Sequence, residues 1–581
     1  MNEEATDKQL IQRAKELQKK REELLSLSPQ MALDRILDDP NALELVHSFP
    51  EQDLYFLIHD IGPEDSLPLL SLASNKQWEH IVDLETWQRD RIDFKSVTRW
   101  MNLLLEADPK RFVRWSLEEK LEIIELYLFK NIEVRVREHD QDPSEFGDDY
   151  FSLDGVYYVR FIKAPIEGEA DKLSDEQRRE FINKISKHLA DFDHRTYQNV
   201  LLEATHVLPA ETEENNFHWR NVRLAEKGFL PFDEAIGIYQ PIKPRDLKKQ
   251  SSKQFPLGVA GLTMLPVPQY PFKMLKEDNH FTRALTAIEP DLVLQQIQTE
   301  FANLCNQIIV ADHKTIREKE ELRDIVKKAC GYISIGLERL SQEKKKVDPH
   351  QAAALLTKFP LTQIFKVGFG GALGLKWRAE KWLSQCWFAQ AGLRLTFWGE
   401  QWLGVFGGLL IKKPLFYDNY KTGVLYREFV SIDEIAETES VFNQIKAVDE
   451  LLSLMTIDLD TPSSYGFLTY KNLILTLWAR QYLRLSIKKL KPITLKQFKP
   501  FYENLLPGEP DPETEQPRKV PLAMKESFLS WLSKDTGLKN YEITDRLGNT
   551  LEDLFNEIEA EFGRVAAKDL DPRYVHLFLL T

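Results

Sequence analysis

Cysteine is nearly absent from this chain. Cys305, Cys330 and Cys386 are the three present, and no two of them form a short pair. That argues against a disulfide framework and against zinc sites built on cysteine, and it fits a reducing compartment. Long apolar runs are missing as well. The most apolar stretch, Phe397–Ile411, contains Glu400 and Gln401 and is shorter than the ~20 residues a membrane-spanning helix needs. The stretch Met1–Leu10 carries Glu3, Glu4 and Asp7 where a signal peptide has an apolar core. The expectation is a soluble cytoplasmic protein without membrane insertion. Positive charge is in deficit: 76 Lys and Arg stand against 91 Asp and Glu, a net charge of -15. General DNA or RNA binding is therefore not expected, because it rests on clustered Lys and Arg.

Apolar residues make up 43% and charged residues 29% of 581, enough to build large cores. At roughly 100–200 residues per domain, about three or four domains are expected. Residues 8–27 read as an amphipathic helix, with Leu10, Leu17 and Leu24 every seven residues and Ala14 beside them. Pro50-Glu51 and Pro63-Glu64 each suit a helix start, since proline fits the first position and acids favour the first turn. The apolar positions that follow correspond, Leu54 with Leu67 and Leu57 with Leu70, and Ile81 and Leu84 add a looser copy. Short copies must stack, because one cannot bury its own face. Leu117, Leu121, Ile124 and Leu128 predict a longer helix. After Asn131, Ile132, Val134 and Val136 alternate with charges, a half-buried strand. Asp154-Gly155 then turns into a second strand over Val156–Phe161.

The expected organisation is an N-terminal helix (1–28), a short-helix repeat domain (29–130) and a small α+β region (131–250). A Pro-rich connection (251–289), a Trp-rich helical domain (290–505), a linker (506–521) and a C-terminal helical unit (522–581) follow. The fold class is mainly α: a multi-domain helical protein with a helical-repeat N-terminal part and a small β-hairpin insertion.

Motifs with chemical meaning are sparse. Gly368–Gly374 has Leu373 where a dinucleotide loop needs its third glycine, and Leu375 where a phosphate loop needs lysine. Close helix packing or a tight turn explains these glycines better, and no cofactor is expected. Ser334, between Gly331 and Gly336, lacks the nucleophile-elbow spacing. Asp191 with His194 and Glu203 with His206 are acid-x-x-His pairs, the spacing used by di-iron bundles. The two pairs lie twelve residues apart, ~18 Å along one straight helix, too far to share a cluster. Solvated helix-face side chains are the simpler account, with a metal site as the alternative.

Residues 376–402 hold Trp377, Trp382, Trp387, Trp398 and Trp402, interleaved with Lys376, Arg378, Lys381 and Arg394. An aromatic core with a charged outer face explains most of this, with a partner-binding interface second and nucleic acid a distant third. On one helix, residues five apart cannot face the same way. One of Trp377, Trp382 and Trp387 is therefore expected to be partly exposed in a groove rimmed by Arg378 or Lys381.

Three stretches carry a resemblance: Ile61–Leu70 running on to Asp83-Leu84-Glu85-Thr86-Trp87, then Arg223–Phe229, then Asp571-Pro572-Arg573-Tyr574-Val575. Together they resemble a family of long bacterial proteins known only as a domain of unknown function, over nearly the whole chain. That family implies no activity to carry over. The copies at 50–84 also look like the cytosolic N-terminal helical domain of MgtE-type magnesium transporters. The membrane part is absent here, so transport is not implied. The leading functional expectation is a non-enzymatic interaction or scaffold protein with a protein partner. One alternative is an enzyme with a site assembled from distant residues, metal-dependent or not. Another is a cytosolic partner of a membrane complex.

Overall fold

The computed structural model describes residues 2–162, 169–249, 252–253, 268–289, 291–314, 316, 318–341, 347–455, 457, 468–510 and 517–581. Side chains at 2–11, 169–174, 291 and 319 are outside that description. The chain divides into two units, Met1–Ile333 with Leu340–Lys366, and Ser334–Arg339 with Val367–Thr581. Among the described residues, 28 α-helices stand against seven strands of at most five residues, so the fold is mainly α and multi-domain. None of the described helices is long and apolar enough to cross a membrane.

The first unit opens with the helix Asn2–Leu24, on which Leu17 and Leu24 are buried; the Leu10 side chain lies outside the description. It ends three residues earlier than the heptad pattern suggests. The short helices that follow form two rows. Pro29–Leu37 packs on Glu51–Ile61, which packs on Asn75–Glu85. Ala42–His47 packs on Leu67–Leu72, which packs on Phe94–Ala107. Alternate helices thus stack, and Asn75–Glu85 also packs on Phe94–Ala107, which joins the two rows. Pro63 does not open a helix. It sits in a turn closed by Ser66 Oγ donating to the Gly62 carbonyl at 2.7 Å, and the helix begins at Leu67.

The leucine stripe predicted as one helix is split. Pro109–Glu119 and Leu121–Asn131 meet at Lys120, whose backbone leaves the helix at φ -133°. Its ammonium is buried and lies 2.9 Å from Glu79 and 3.7 Å from Asp83. The predicted strands do form. Ile132–Val136 pairs antiparallel with Tyr157–Phe161, with Val134 opposite Val159, and Tyr150–Phe151 adds the far edge. Two further hairpins, Trp87–Gln88 with Arg91–Ile92 and Phe416–Tyr417 with Tyr426–Arg427, had no clear alternating pattern to announce them.

Of the Pro-rich connection, residues 251 and 254–267 lie outside the described residues. Its flanks are fixed within the first unit. The Lys253 N–H donates to the Lys358 carbonyl at 2.9 Å, and its ammonium meets Glu300 at 2.9 Å. On the other side, the backbone N–H groups of Gln269 and Tyr270 donate to the Asp53 carboxylate at 2.9–3.0 Å.

In the second unit, Ile432–Leu454, Tyr470–Tyr482, Leu495–Leu505 and the C-terminal helices Leu522–Thr536, Asn540–Leu547 and Asn549–Phe562 surround an aromatic core. Trp478 contacts Phe501, Phe528 and Phe555 edge-on there. The apolar tail is buried: Phe578 packs on Phe498 and Phe501, and Leu580 bridges to Ile493. Residues 511–516 of the expected linker lie outside the description. Arg518, just after them, donates to the carbonyls of Leu506 and Gly508 at 2.6 Å.

Candidate functional site

The tryptophan-rich region lies in the second unit. Trp377 and Trp382 are on the helix Leu361–Leu383, and Trp387 starts a separate short helix, Trp387–Gln390. The break arises because the Asp449 carboxylate accepts the N–H groups of Trp387 and Phe388, at 3.2 and 2.8 Å, and so caps a new start. Trp382 is half-buried between Trp398, Phe406 and Phe442, and Trp387 is half-buried against Phe397. Trp398 is buried, and Trp402 stacks flat on Tyr470 at 4.5 Å.

Trp377 differs from these, with 51% of its surface exposed. The residue before it is clamped: Lys376 is buried and donates to the carbonyls of Leu410 and Ile411 at 3.1 and 2.6 Å, satisfying the end of the helix Gly399–Leu410. Arg378 is exposed and pairs with Glu439 at 2.7 Å, and Lys381 is exposed. The arrangement is an indole held out from a fixed backbone, with cations beside it.

Gly368–Gly374 lies inside the helix Leu361–Leu383, so it is not a loop at a helix start and cannot cradle phosphate in the usual way. A Cβ on Gly371 would come within 3.0 Å of Ile435, so this glycine permits close packing. Ser334 is buried mid-helix. Asp191, His194, Glu203 and His206 are all exposed. The helix breaks inside the first acid-x-x-His pair, at Asp193, whose carboxylate caps the helix His194–Ala204 through the Thr196 N–H at 2.8 Å, so Asp191 and His194 lie on different helices. Among the described residues no group of three or more His, Cys, Asp or Glu is placed to hold a metal ion.

Sequence reasoning missed a buried polar network in the first unit. Glu85 is buried and accepts from Tyr55 Oη at 2.6 Å and Trp100 Nε1 at 3.1 Å, with His59 Nε2 3.3 Å away. Burial alone would raise its pKa, but His59, Tyr55 and Trp100 outweigh burial and bring it down to about 2. Glu85 therefore stays charged and is no proton acceptor near neutral pH. Asp83, also buried, accepts both arms of the Arg223 fork at 2.7 and 2.8 Å. Arg220 donates to the Asp83 carbonyl at 2.6 Å, and burial lowers its pKa to about 10. Asp53 is fully buried; desolvation raises its pKa to about 6 against the pull of the Tyr270 and Gln269 amides. His80 is fully buried with neither ring nitrogen hydrogen-bonded, beside the rings of Tyr55 and Phe229. Burial and Lys227 hold its pKa well below the usual histidine value, so it is neutral.

The family described as "Family of unknown function (DUF6178)" matches residues 9–581. The chain belongs to this family. No curated protein and no solved structure matches it, so the likeness of residues 50–84 to the transporter domain has no support beyond its own pattern. Two of the three stretches that carry the resemblance to the family meet in the buried network. Asp83 and Glu85 come from one, Arg223 and Phe229 from the next. In the latter, Gly228 adopts φ +82° with its α-carbon pressed on the helix Asp291–Ala311, where a Cβ would come within 2.7 Å of Asn303 Cα. The third stretch forms a turn in the second unit, in which Asp571 accepts the Arg573 N–H at 3.0 Å. The one signal for the network was a run of polar residues, Gln77, His80, Asp83 and Glu85, interleaved with Trp78, Ile81 and Val82 on one short helix.

Proposed function

We propose that this chain is a non-enzymatic interaction protein of the cytoplasm that holds a protein partner through the Trp377 face of its second unit. The observation that carries the reading is Trp377 itself, half exposed on a helix whose adjacent Lys376 is locked by two carbonyls. A large aromatic presented on a rigid backbone loses little entropy on binding and is the side chain that most often dominates an interface. Arg378 and Lys381 supply a polar rim. The three cysteines are buried and unbridged, which supports a reducing compartment.

The test is a photo-crosslinking residue at position 377 in the native host. The expected product is one discrete heteromeric adduct that is absent when the crosslinker replaces exposed Tyr541 instead. Trp377→Ala should abolish co-purification of that partner without lowering the melting temperature. No adduct at 377, or a partner that Trp377→Ala retains undiminished, overturns the reading.

A further inference from the structure

A second surface lies in the first unit, on the side of the helix Pro209–Ala225 that faces away from the buried network. This helix turns Arg220, Arg223 and Leu224 inward. Its other side presents Trp219 and Val222, three residues apart and 60% and 41% exposed, and the residue that precedes the helix, Leu208, is 65% exposed. A tryptophan this open, with an exposed valine one turn on, is an unpartnered helix face.

The ground beside it is acidic and unneutralised. Asn216 donates to Glu122 at 2.9 Å, which sets Pro209–Ala225 alongside Leu121–Asn131. The helix His194–Ala204 packs on the same Leu121–Asn131 and brings Glu203 towards Glu125. Glu122, Glu125 and Glu203 thus gather where three helices meet, and among the described residues none of them pairs with a Lys or Arg. Arg195, on the Glu203 helix, sits at its far end beside Asp193. Burial first, then the charges of Glu203 and Glu122, raise the Glu125 pKa to about 7. Like charges held together cost free energy, and an incoming cation relieves that cost.

We propose that this face docks a basic amphipathic helix of a partner protein, whose apolar side covers Trp219, Leu208 and Val222 and whose Lys or Arg side chains enter the Glu122/Glu125/Glu203 cluster. The charge sign excludes a nucleic acid or an anionic bilayer as occupant, and the apolar half sets the site apart from a simple cation site. The surface is separate from Trp377 and stands or falls independently of it.

The test uses the full chain and two fluorescein-labelled synthetic helices. One repeats Leu and Lys at i, i+4 spacing, and the other has Glu in place of every Lys. Anisotropy should show binding of the Lys peptide only, weakening as salt rises. The Glu122→Gln/Glu125→Gln/Glu203→Gln variant and Trp219→Ala should each weaken binding by about tenfold, whereas Trp377→Ala leaves it unchanged. The triple variant should melt no lower than the parent, because it removes repulsion and breaks no ion pair. Equal binding of both peptides, no binding of the Lys peptide, or equal affinity in the triple variant overturns the proposal. So does self-association in sedimentation that the triple variant abolishes, which would make a second copy the occupant.

Discussion

Replacing Asp83 by asparagine keeps the size of the side chain and removes its charge. Arg223 then loses the carboxylate that took both arms of its fork and keeps Glu79 at 3.1 Å, which it shares with the buried ammonium of Lys120, at 2.9 Å. A charge pair about 4 Å apart is worth roughly 4 kcal/mol at an effective dielectric of about 20, before desolvation is counted. Breaking a buried pair from one side typically costs about 3–5 kcal/mol, because the surviving charge stays desolvated. The first unit has roughly 360 residues, so at about 2.1 cal/mol/K per residue its unfolding entropy is near 0.75 kcal/mol/K. The melting temperature of that unit should therefore fall by about 4–7 °C, read by differential scanning calorimetry. Adding Arg223→Met to Asp83→Asn should restore part of the loss, since it removes the guanidinium that competes with Lys120 for Glu79. The reasoning is refuted if Asp83→Asn melts within about 1 °C of the parent, or if the double variant is worse than the sum of the single changes.

Asp53 makes a pH prediction. Its folded pKa, about 6, lies above its ordinary 3.8, so the folded state holds this proton more tightly than the unfolded one. The resulting stabilisation is complete below about pH 4 and is lost as pH rises through about 6. The melting temperature of Asp53→Asn relative to the parent should climb between about pH 4.5 and 7.5, and a flat difference would show that Asp53 does not titrate there. Gly228→Ala should destabilise by at least about 1–3 kcal/mol from the left-handed backbone alone, with the Asn303 clash in addition. Gly237→Ala, where a Cβ meets nothing within 4 Å, is the control, and equal urea midpoints for the two would contradict the close approach. Acrylamide quenching should drop more in Trp377→Phe than in Trp398→Phe, and an equal drop would place Trp377 in the core.

What could be read from the sequence depended on whether its cause was local. The alternation at Ile132–Val136 is set by neighbours two residues apart, and that strand formed where expected. The hairpin Trp87–Ile92 has two-residue strands, too short for any period to show. The stripe Leu117–Leu128 kept its helical spacing across Lys120, but the helix did not, because the ammonium is drawn to Glu79, 41 residues back. Trp387 left the helix of Trp377 because of Asp449, 62 residues on. At the site level, five-residue spacing called for one exposed tryptophan among three without saying which; Trp377 is that one, although Trp387 is not on its helix. The Asp83–Arg223 pair spans 140 residues and no spacing rule reaches it.

The anchoring on both sides of residues 254–267 bears on how the protein behaves when cut. Lys253 is tied to Lys358 and Glu300 before that segment, and Gln269 and Tyr270 are tied to Asp53 after it. A backbone break between these two anchors severs the covalent link but touches none of those bonds. Each fragment would carry its own share of the first unit's packed surface, the larger on the N-terminal piece. The two pieces should therefore travel together on a native gel and part only in detergent. The same position is the natural place to divide the gene for a split reporter, with the two halves supplied as separate polypeptides that reassemble on their own.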